Sequence, residues 1–272
     1  MKRFLLSLLA IGFCGITSSF ADDHIRAVQS RLKDDGFYFG EVNGVYGSET
    51  AAAVSRYQIR HGLPITGQID AETSKALGVA TSSNNVPAPP SEAETWRRLR
   101  KTDEQFLTKL NAGKIPSPAP PQSAARQEPA QPSRAATALS VDSASRTLVL
   151  SRERLRDYVA AFVLAGLDPQ VGAELEFFGE RVKYFNEGIV DREKIRRDLQ
   201  AYNNRWPARR FWLAGEVSVE PQSDSRLRVT FPLRFELRNG SKRSSGRVLK
   251  TLVVEVTGED LQIVGVNEKK SS

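Results

Sequence analysis

Apolar positions follow three different spacings along this chain, and each spacing predicts a different element. Phe4 to Ile16 is nearly unbroken apolar sequence behind Lys2 and Arg3. From Ile25 the period turns helical: Ile25, Val28 and Leu32 recur at i, i+3 and i+7, predicting a helix that ends before Gly36. Ala53, Val54 and Tyr57 predict a second helix that starts at Gly47 or Ser48 and stops at Gly62 and Pro64. A shift of 23 residues lays Gly44, Glu49, Thr50 and Ala53 on Gly67, Glu72, Thr73 and Ala76, so each half reads as a glycine turn, a helix start and an apolar pair. Two such units and the first helix predict one small all-α core over residues 22–79.

Residues 80–140 lose this regularity. Pro87-Ala88-Pro89-Pro90 and Pro116-Ser117-Pro118-Ala119-Pro120-Pro121 typify a stretch too poor in apolar surface to offset chain entropy, which predicts a disordered Pro/Ala-rich linker. Trp96, Leu99, Phe106, Leu107 and Leu110 predict one short helix within it, over residues 91–110, that docks on a domain or awaits a partner.

Periodicity returns over residues 141–272. Leu155, Tyr158, Val159, Phe162 and Val163 line one helix face closed by Ala165-Gly166, and Asp168-Pro169 opens a second helix with Leu175 and Phe178 turned inward. Val182 to Phe185 reads as a short strand, and Asp191 caps a third helix carrying Ile195, Leu199 and Tyr202 as far as Trp206-Pro207. From Leu227 to Leu237 every odd position is apolar, the mark of a strand with one buried face. Arg209 to Val219, Arg247 to Val256 and Leu261 to Val266 supply three more strands, with a turn at Asn239-Gly240. Pro232 lacks a donor and predicts an edge or a bulge. Helices followed by a meander give an α+β class with a curved antiparallel sheet.

The first residues also bear on the compartment. A basic start, an apolar run and Ser19-Phe20-Ala21 before Asp22 have the layout of a secretory signal peptide, residues 1–21, cut after Ala21. The run is shorter than the roughly 20 residues that span a bilayer, so the alternative is a retained anchor and stable membrane insertion is not expected. Cys14 is the one cysteine and lies in this segment behind bulky Phe13, which predicts no lipidation and a mature chain without disulfide, thiolate nucleophile or cysteine metal ligand. The chain carries 39 basic and 32 acidic side chains, and loss of Lys2 and Arg3 leaves a net +5. Export to the periplasm or cell wall removes nucleic acid as a partner and leaves an ordinary solvated surface or, as the alternative, anionic envelope polymers.

The run from Ile25 to Leu77, with its glycine turns and repeated helix starts, resembles the bacterial peptidoglycan-binding module of the three-helix type. The resemblance implies peptidoglycan as partner. Asn43 stands where that family usually has Asp, which keeps the turn and removes one charge. Exposed polar and aromatic groups near the turns are the candidate binders by position: Tyr38, Asn43, Tyr46, Thr50, Arg56 and Gln58, with Tyr46 and Tyr57 equally readable as core.

Residues 150–268 resemble the cone-shaped fold of the nuclear transport factor 2 and ketosteroid isomerase superfamily. The likeness rests on Val182-Lys183-Tyr184-Phe185-Asn186-Glu187-Gly188, Asp191 to Ile195, Tyr202 to Pro207 and the sheet. That fold hosts enzymes, binders and assembly domains alike. Tyr184, Asp198, Tyr202 and Trp206 are the candidate cavity residues, with Asp198 and a Tyr as an acid–base pair or as a structural contact. His24 and His61 are the two histidines, too few for a catalytic zinc site, and no catalytic, metal or cofactor site is visible. Arg226, Arg228, Arg234 and Arg238 share one strand face, which alternation alone would turn to solvent; the face could also meet an anionic glycan, an acidic partner or a second copy in a homodimer. The expected protein is a non-enzymatic envelope protein that binds peptidoglycan and presents a ligand- or partner-binding domain. The alternative is an enzyme acting on wall material or an exported small molecule.

Overall fold

The computed structural model describes residues 19–80, 92–101, 139–141, 148–150, 152–168, 172–257 and 260–271. Most of the expected leader, Cys14, most of the linker, Pro169 and the far end of the helix expected over 91–110 lie outside the described residues.

Three helices form at the amino terminus: α1 (Ser19–Asp34), α2 (Ser48–Arg60) and α3 (Ala71–Leu77). The Asp70 carboxylate accepts the Thr73 N–H at 2.8 Å and starts α3, and Gly78 at φ 70 closes it. Ile25, Val28, Leu32, Phe37, Val54, Tyr57 and Leu77 pack into the small core expected from their spacing. Helix α2 departs from the amphipathic pattern. Every residue from Thr50 to Arg60 is buried, including Ser55, Arg56 and Gln58, so α2 must be covered on both sides.

The second cover comes from the rest of the chain. Helix α4 (Glu92–Lys101) lies against α2 and against α5 (Arg152–Ala165). Ala52, Ile59 and Ile65 of the module join Trp96 and Leu99 of α4 and Leu155, Val159 and Phe162 of α5 in one apolar cluster. Within it Arg56 Nε donates to Asp157 Oδ2 at 2.9 Å, the two side chains 2% and 4% exposed. Arg60 pairs with Glu153 beside it, and the Ile65 N–H donates to the Phe211 carbonyl at 3.0 Å. The sequence predicts two parts on a tether; the structure packs them together. The helix expected to dock or wait is docked. Trp96 meets the Phe177 ring at 5.4 Å, and Arg100 reaches Asp260 at 2.7 Å.

The carboxy-terminal part pairs β1 (Leu139–Val141) with β2 (Leu148–Leu150), then builds α5, the single turn α6 (Gly172–Leu175), β3 (Phe178–Tyr184), β4 (Ile189–Asp191) and α7 (Arg192–Arg205). Asp191 caps α7 as expected, accepting from the Lys194 N–H at 2.8 Å. Phe178 begins a strand and not the interior of a second helix. Adjacent Phe177 and Phe178 both pack against Phe162, and Phe177 also meets Trp96 and Tyr158, so both rings are buried in the apolar cluster at the start of the strand.

The strands β5 (Ala208–Leu213), β6 (Ser218–Ser223), β7 (Arg226–Asn239), β8 (Lys242–Thr257) and β9 (Asp260–Ser271) complete a curved sheet in the order β4-β3-β9-β8-β7-β5, with β6 also on β7. Two expectations are corrected. The sheet is mixed, because β3 pairs in parallel with β9. The strand expected over 209–219 is split, because Pro232 of β7 offers no N–H to its neighbour. Beside it Ala214 donates to the Pro232 carbonyl at 2.9 Å, and a Cβ on Gly215 would come within 2.8 Å of the Pro232 ring.

Removing one member of the buried ion pair leaves the other charge without compensation. Asp157→Ala is expected to cost about 3–5 kcal/mol in urea denaturation of the full-length protein. The double change Arg56→Met with Asp157→Leu is expected to recover most of that loss.

Candidate functional site

The two repeat-related turns of the module are each fastened by one buried glutamine. Gln29 Nε2 donates to Val45 O at 2.9 Å, Thr50 Oγ1 at 3.1 Å and Asn43 Oδ1 at 3.2 Å, while its Oε1 accepts the Gly44 N–H at 2.9 Å. Gln58 repeats the arrangement. Its Nε2 donates to Thr66 Oγ1, Gln68 O and Thr73 Oγ1, and its Oε1 accepts the Thr66 and Gly67 N–H groups, all within 3.0 Å. Each turn is therefore pinned in shape by a polar knot away from water.

What the two turns face differs. The first turn is open: Val45 is 61% exposed, Val42, Glu41 and Asn43 lie beside it, and Arg26 of α1 reaches the Asn43 carbonyl at 3.4 Å. Apolar tips among polar groups suit a ligand with both hydrocarbon and amide character. The second turn faces the carboxy-terminal domain, and Gly67, at φ +64, lies so close that a Cβ there would stand 3.8 Å from Leu164.

The concave side of the sheet encloses a cavity of about 480 Å³. Its walls are apolar, with Phe162, Phe178, Phe211, Leu233 and Val266, and its polar groups include Glu174, Tyr184, Asp198, Tyr202 and Lys250. Glu174 lies among these walls, and burial pushes its carboxyl up from the ordinary value, with the Lys250 and Arg209 charges opposing. Burial likewise raises the Tyr184 and Tyr202 hydroxyls, with the Asp198 charge adding to the rise at Tyr184 and Arg209 opposing it at Tyr202. Asp198 is held by Lys194 at 2.6 Å, and the same ammonium takes Glu187 at 2.9 Å. The cavity can hold a partly apolar molecule and present a protonatable carboxyl to it. Among the described residues no group of His, Cys, Asp and Glu is arranged to hold a metal, and no helix is long and apolar enough to cross a membrane.

Residues 21–77 match the family described as "Putative peptidoglycan binding domain". Over 66 residues the chain is 46% identical to spore cortex-lytic enzyme of Bacillus cereus, an alignment covering 24% of this chain and 26% of that one. The chain thus spans about a quarter of the length of the curated relatives it matches. Residues 21–77 form a peptidoglycan-binding-type domain. Solved structures similar to the chain include a protein with a cystatin-like fold from Caulobacter vibrioides, 10% identical over 43% of this chain and 87% of that one, TM-score 0.38. Another is a protein titled a putative dehydratase from the NTF2-like family of Streptomyces avermitilis, 12% identical over 42% and 90%, TM-score 0.37.

Within the peptidoglycan-binding-type domain the expectation of exposed binders fails for five of the six candidates. Tyr38, Tyr46, Thr50, Arg56 and Gln58 are buried, and Asn43 alone lies on the surface. Each has a structural partner. Tyr38 donates to Glu41 O at 2.8 Å, Tyr46 to Gly67 O, Thr50 and Gln58 belong to the two knots, and Arg56 pairs with Asp157. Tyr184, Asp198 and Tyr202 line the cavity, while Trp206 ends α7 and is not among the lining residues. Glu174 was missed, since an isolated Glu in a short helical turn carries no periodic signal. Gln29 was missed as well: it lies 15 residues before Gly44 while Gln58 lies 9 before Gly67, so the 23-residue repeat does not lay one glutamine on the other.

Two outcomes follow. Gln58→Ala strands the Thr66 and Gly67 N–H groups and is expected to lower stability by about 2–4 kcal/mol in thermal or urea unfolding. For Glu174 the folded value lies above the unfolded value near 4.5, so the native state binds the extra proton and stability falls as pH rises from about 4.5 through the raised value. Glu174→Gln is therefore expected to unfold at higher urea than the parent at pH 7, with the gap closing below about pH 4.5.

Proposed function

We propose that this protein is exported, attaches to peptidoglycan through the open first turn of its amino-terminal domain, and holds the cavity-bearing domain at the wall as a ligand- or partner-binding element. The observation that carries the reading is the match of residues 21–77 to the peptidoglycan-binding family together with a rigid, solvent-facing turn at Val42, Asn43 and Val45. Sugar rings and stem-peptide methyls supply apolar faces for the two valines, and amides supply partners for Asn43 and Arg26. Because the two parts share one apolar cluster, the second domain is carried at a fixed place beside the wall site. Export rests on the basic-then-apolar start and the small residues before Asp22.

A second reading makes the cavity catalytic on wall material or a small exported molecule. It is favoured by one observation: Glu174 has its carboxyl raised by burial among apolar walls near two tyrosines, the setting that tunes a carboxylic acid for proton transfer near neutral pH. Asp198, held by Lys194, suits that role less well than Glu174.

The binding reading is tested with the full-length protein and purified sacculi. Co-sedimentation is expected for the parent and a marked loss for Val45→Asp, which desolvates a charge against the ligand. Absence of retention of the parent at modest salt sinks the reading. Turnover of muropeptides that disappears in Glu174→Gln would favour the catalytic alternative.

A further inference from the structure

The second turn of the amino-terminal domain is not simply covered. Thr66, Gly67 and Gln68 form one wall of a cleft of about 430 Å³ whose facing wall is the rim of the sheet domain, with Arg209, Arg210 and Arg238. We infer that this cleft, built jointly by both domains, is a second peptidoglycan subsite that takes a carboxylate-bearing portion of the stem peptide. This rests on the reading that the amino-terminal domain grips peptidoglycan, and it adds a site to which the sheet domain contributes residues.

Charge is the first support. Of the four arginines on the β7 face, Arg226 pairs with Glu255 at 2.9 Å, Arg228 with Glu220 at 3.4 Å and Arg234 with Glu236 at 2.9 Å. Arg238 is exposed, borders the cleft and has no ion pair among the described residues. Arg209 is a second arginine without an ion pair among the described residues, with the Glu174 carboxyl and the Tyr202 ring near it on the cavity side. Among the described residues its guanidinium donates to neutral acceptors, Asn203 Oδ1 at 2.6 Å, Gly166 O at 2.8 Å, Trp206 O at 3.1 Å and Leu167 O at 3.3 Å, and its Nε is buried without a partner there. Arg210 is already taken by Glu72 at 3.0 Å, and Glu236 by Arg234, so the balance in the cleft stays positive.

Buried polarity is the second support. Thr95 of α4 lines the cleft, is 5% exposed, and its Oγ1 has no hydrogen-bond partner among the described residues. An unsatisfied buried hydroxyl costs free energy that a bound acceptor would recover. A planar carboxylate matches an arginine fork better than a sugar hydroxyl does. The remaining walls, Ala51, Leu164, Leu167 and Pro207, are apolar and suit small alkyl groups such as alanine methyls. The position completes the case, since the wall opposite Arg238 is the repeat-related counterpart of the open first turn.

The test titrates full-length protein with a soluble disaccharide-tetrapeptide by calorimetry, using the same muropeptide with its carboxylates amidated as the neutral probe. Arg238→Glu is expected to weaken binding of the free-acid muropeptide about tenfold, the scale of one charge-assisted bond. Amidation is expected to weaken binding by the parent to a similar degree and to abolish the difference between parent and Arg238→Glu. Thr95→Val is expected to weaken binding several-fold, whereas Lys269→Glu, an equal charge change on an exposed site outside the cleft, is expected to leave it unchanged. The inference is overturned if Arg238→Glu and amidation have no effect while Val45→Asp abolishes binding, or if Lys269→Glu weakens binding as much as Arg238→Glu. Failure of the parent to bind either sacculi or muropeptide overturns the wall-binding reading and this site with it.

Discussion

Arg56 and Asp157 lie 101 residues apart and meet at 2.9 Å inside an apolar cluster that leaves each less than 5% exposed. Taking two charges out of water costs several kcal/mol each, and their attraction offsets this only where the geometry is good and water is kept out. Burial pushes Asp157 up while Arg56 draws it down, so the pair stands only in the docked arrangement. The apolar side chains around it, Ala52, Ile59, Trp96, Leu155 and Val159, keep that water out. The pair thus fixes the rotation of α2 against α5, and much of the remaining geometry follows from that one orientation.

With α2 fixed, the two turns of the small domain acquire different surroundings. They share a design, a buried glutamine satisfying the backbone of a glycine turn, and an isolated domain would present both to solvent. Docking turns Thr66-Gly67-Gln68 toward the sheet rim and leaves Val42 and Val45 open. The contact also caps the edge strand β5, where the Ile65 N–H bonds to Phe211 O, and an occupied edge is a poorer template for unwanted pairing. Helix α4 closes the join from the other side, with Arg100 over the Phe177 ring at 4.8 Å and paired to Asp260.

Polar groups in the sheet domain divide in a similar way. Most arginines of the long strand are neutralised by carboxylates on the same or neighbouring strands and so carry little net field. Arg209 and Arg238, which make no ion pair among the described residues, border the interdomain cleft, and Glu174 lines the apolar cavity.

Much of the architecture was legible in the sequence wherever local chemistry decides the outcome. Asp191 caps a helix because a short carboxylate reaches the N–H three residues on, Gly67 takes positive φ, and β7 buries its odd positions because side chains alternate across a strand. The wall-binding family was likewise readable from the repeated turns. Tertiary structure alone decided which polar residues face inward. Tyr38, Tyr46, Thr50, Arg56 and Gln58 sit at positions that look exposed by turn proximity, yet each is buried and hydrogen-bonded, to a partner three residues away for Tyr38 and 101 away for Arg56. The parallel pairing of β3 with β9, the burial of Glu174 and the cleft between the domains are of the same kind. Local pattern records what one segment prefers against water. It holds no record of which other segment will take the water's place, and that exchange sets both the cost of a buried charge and the shape of a binding site.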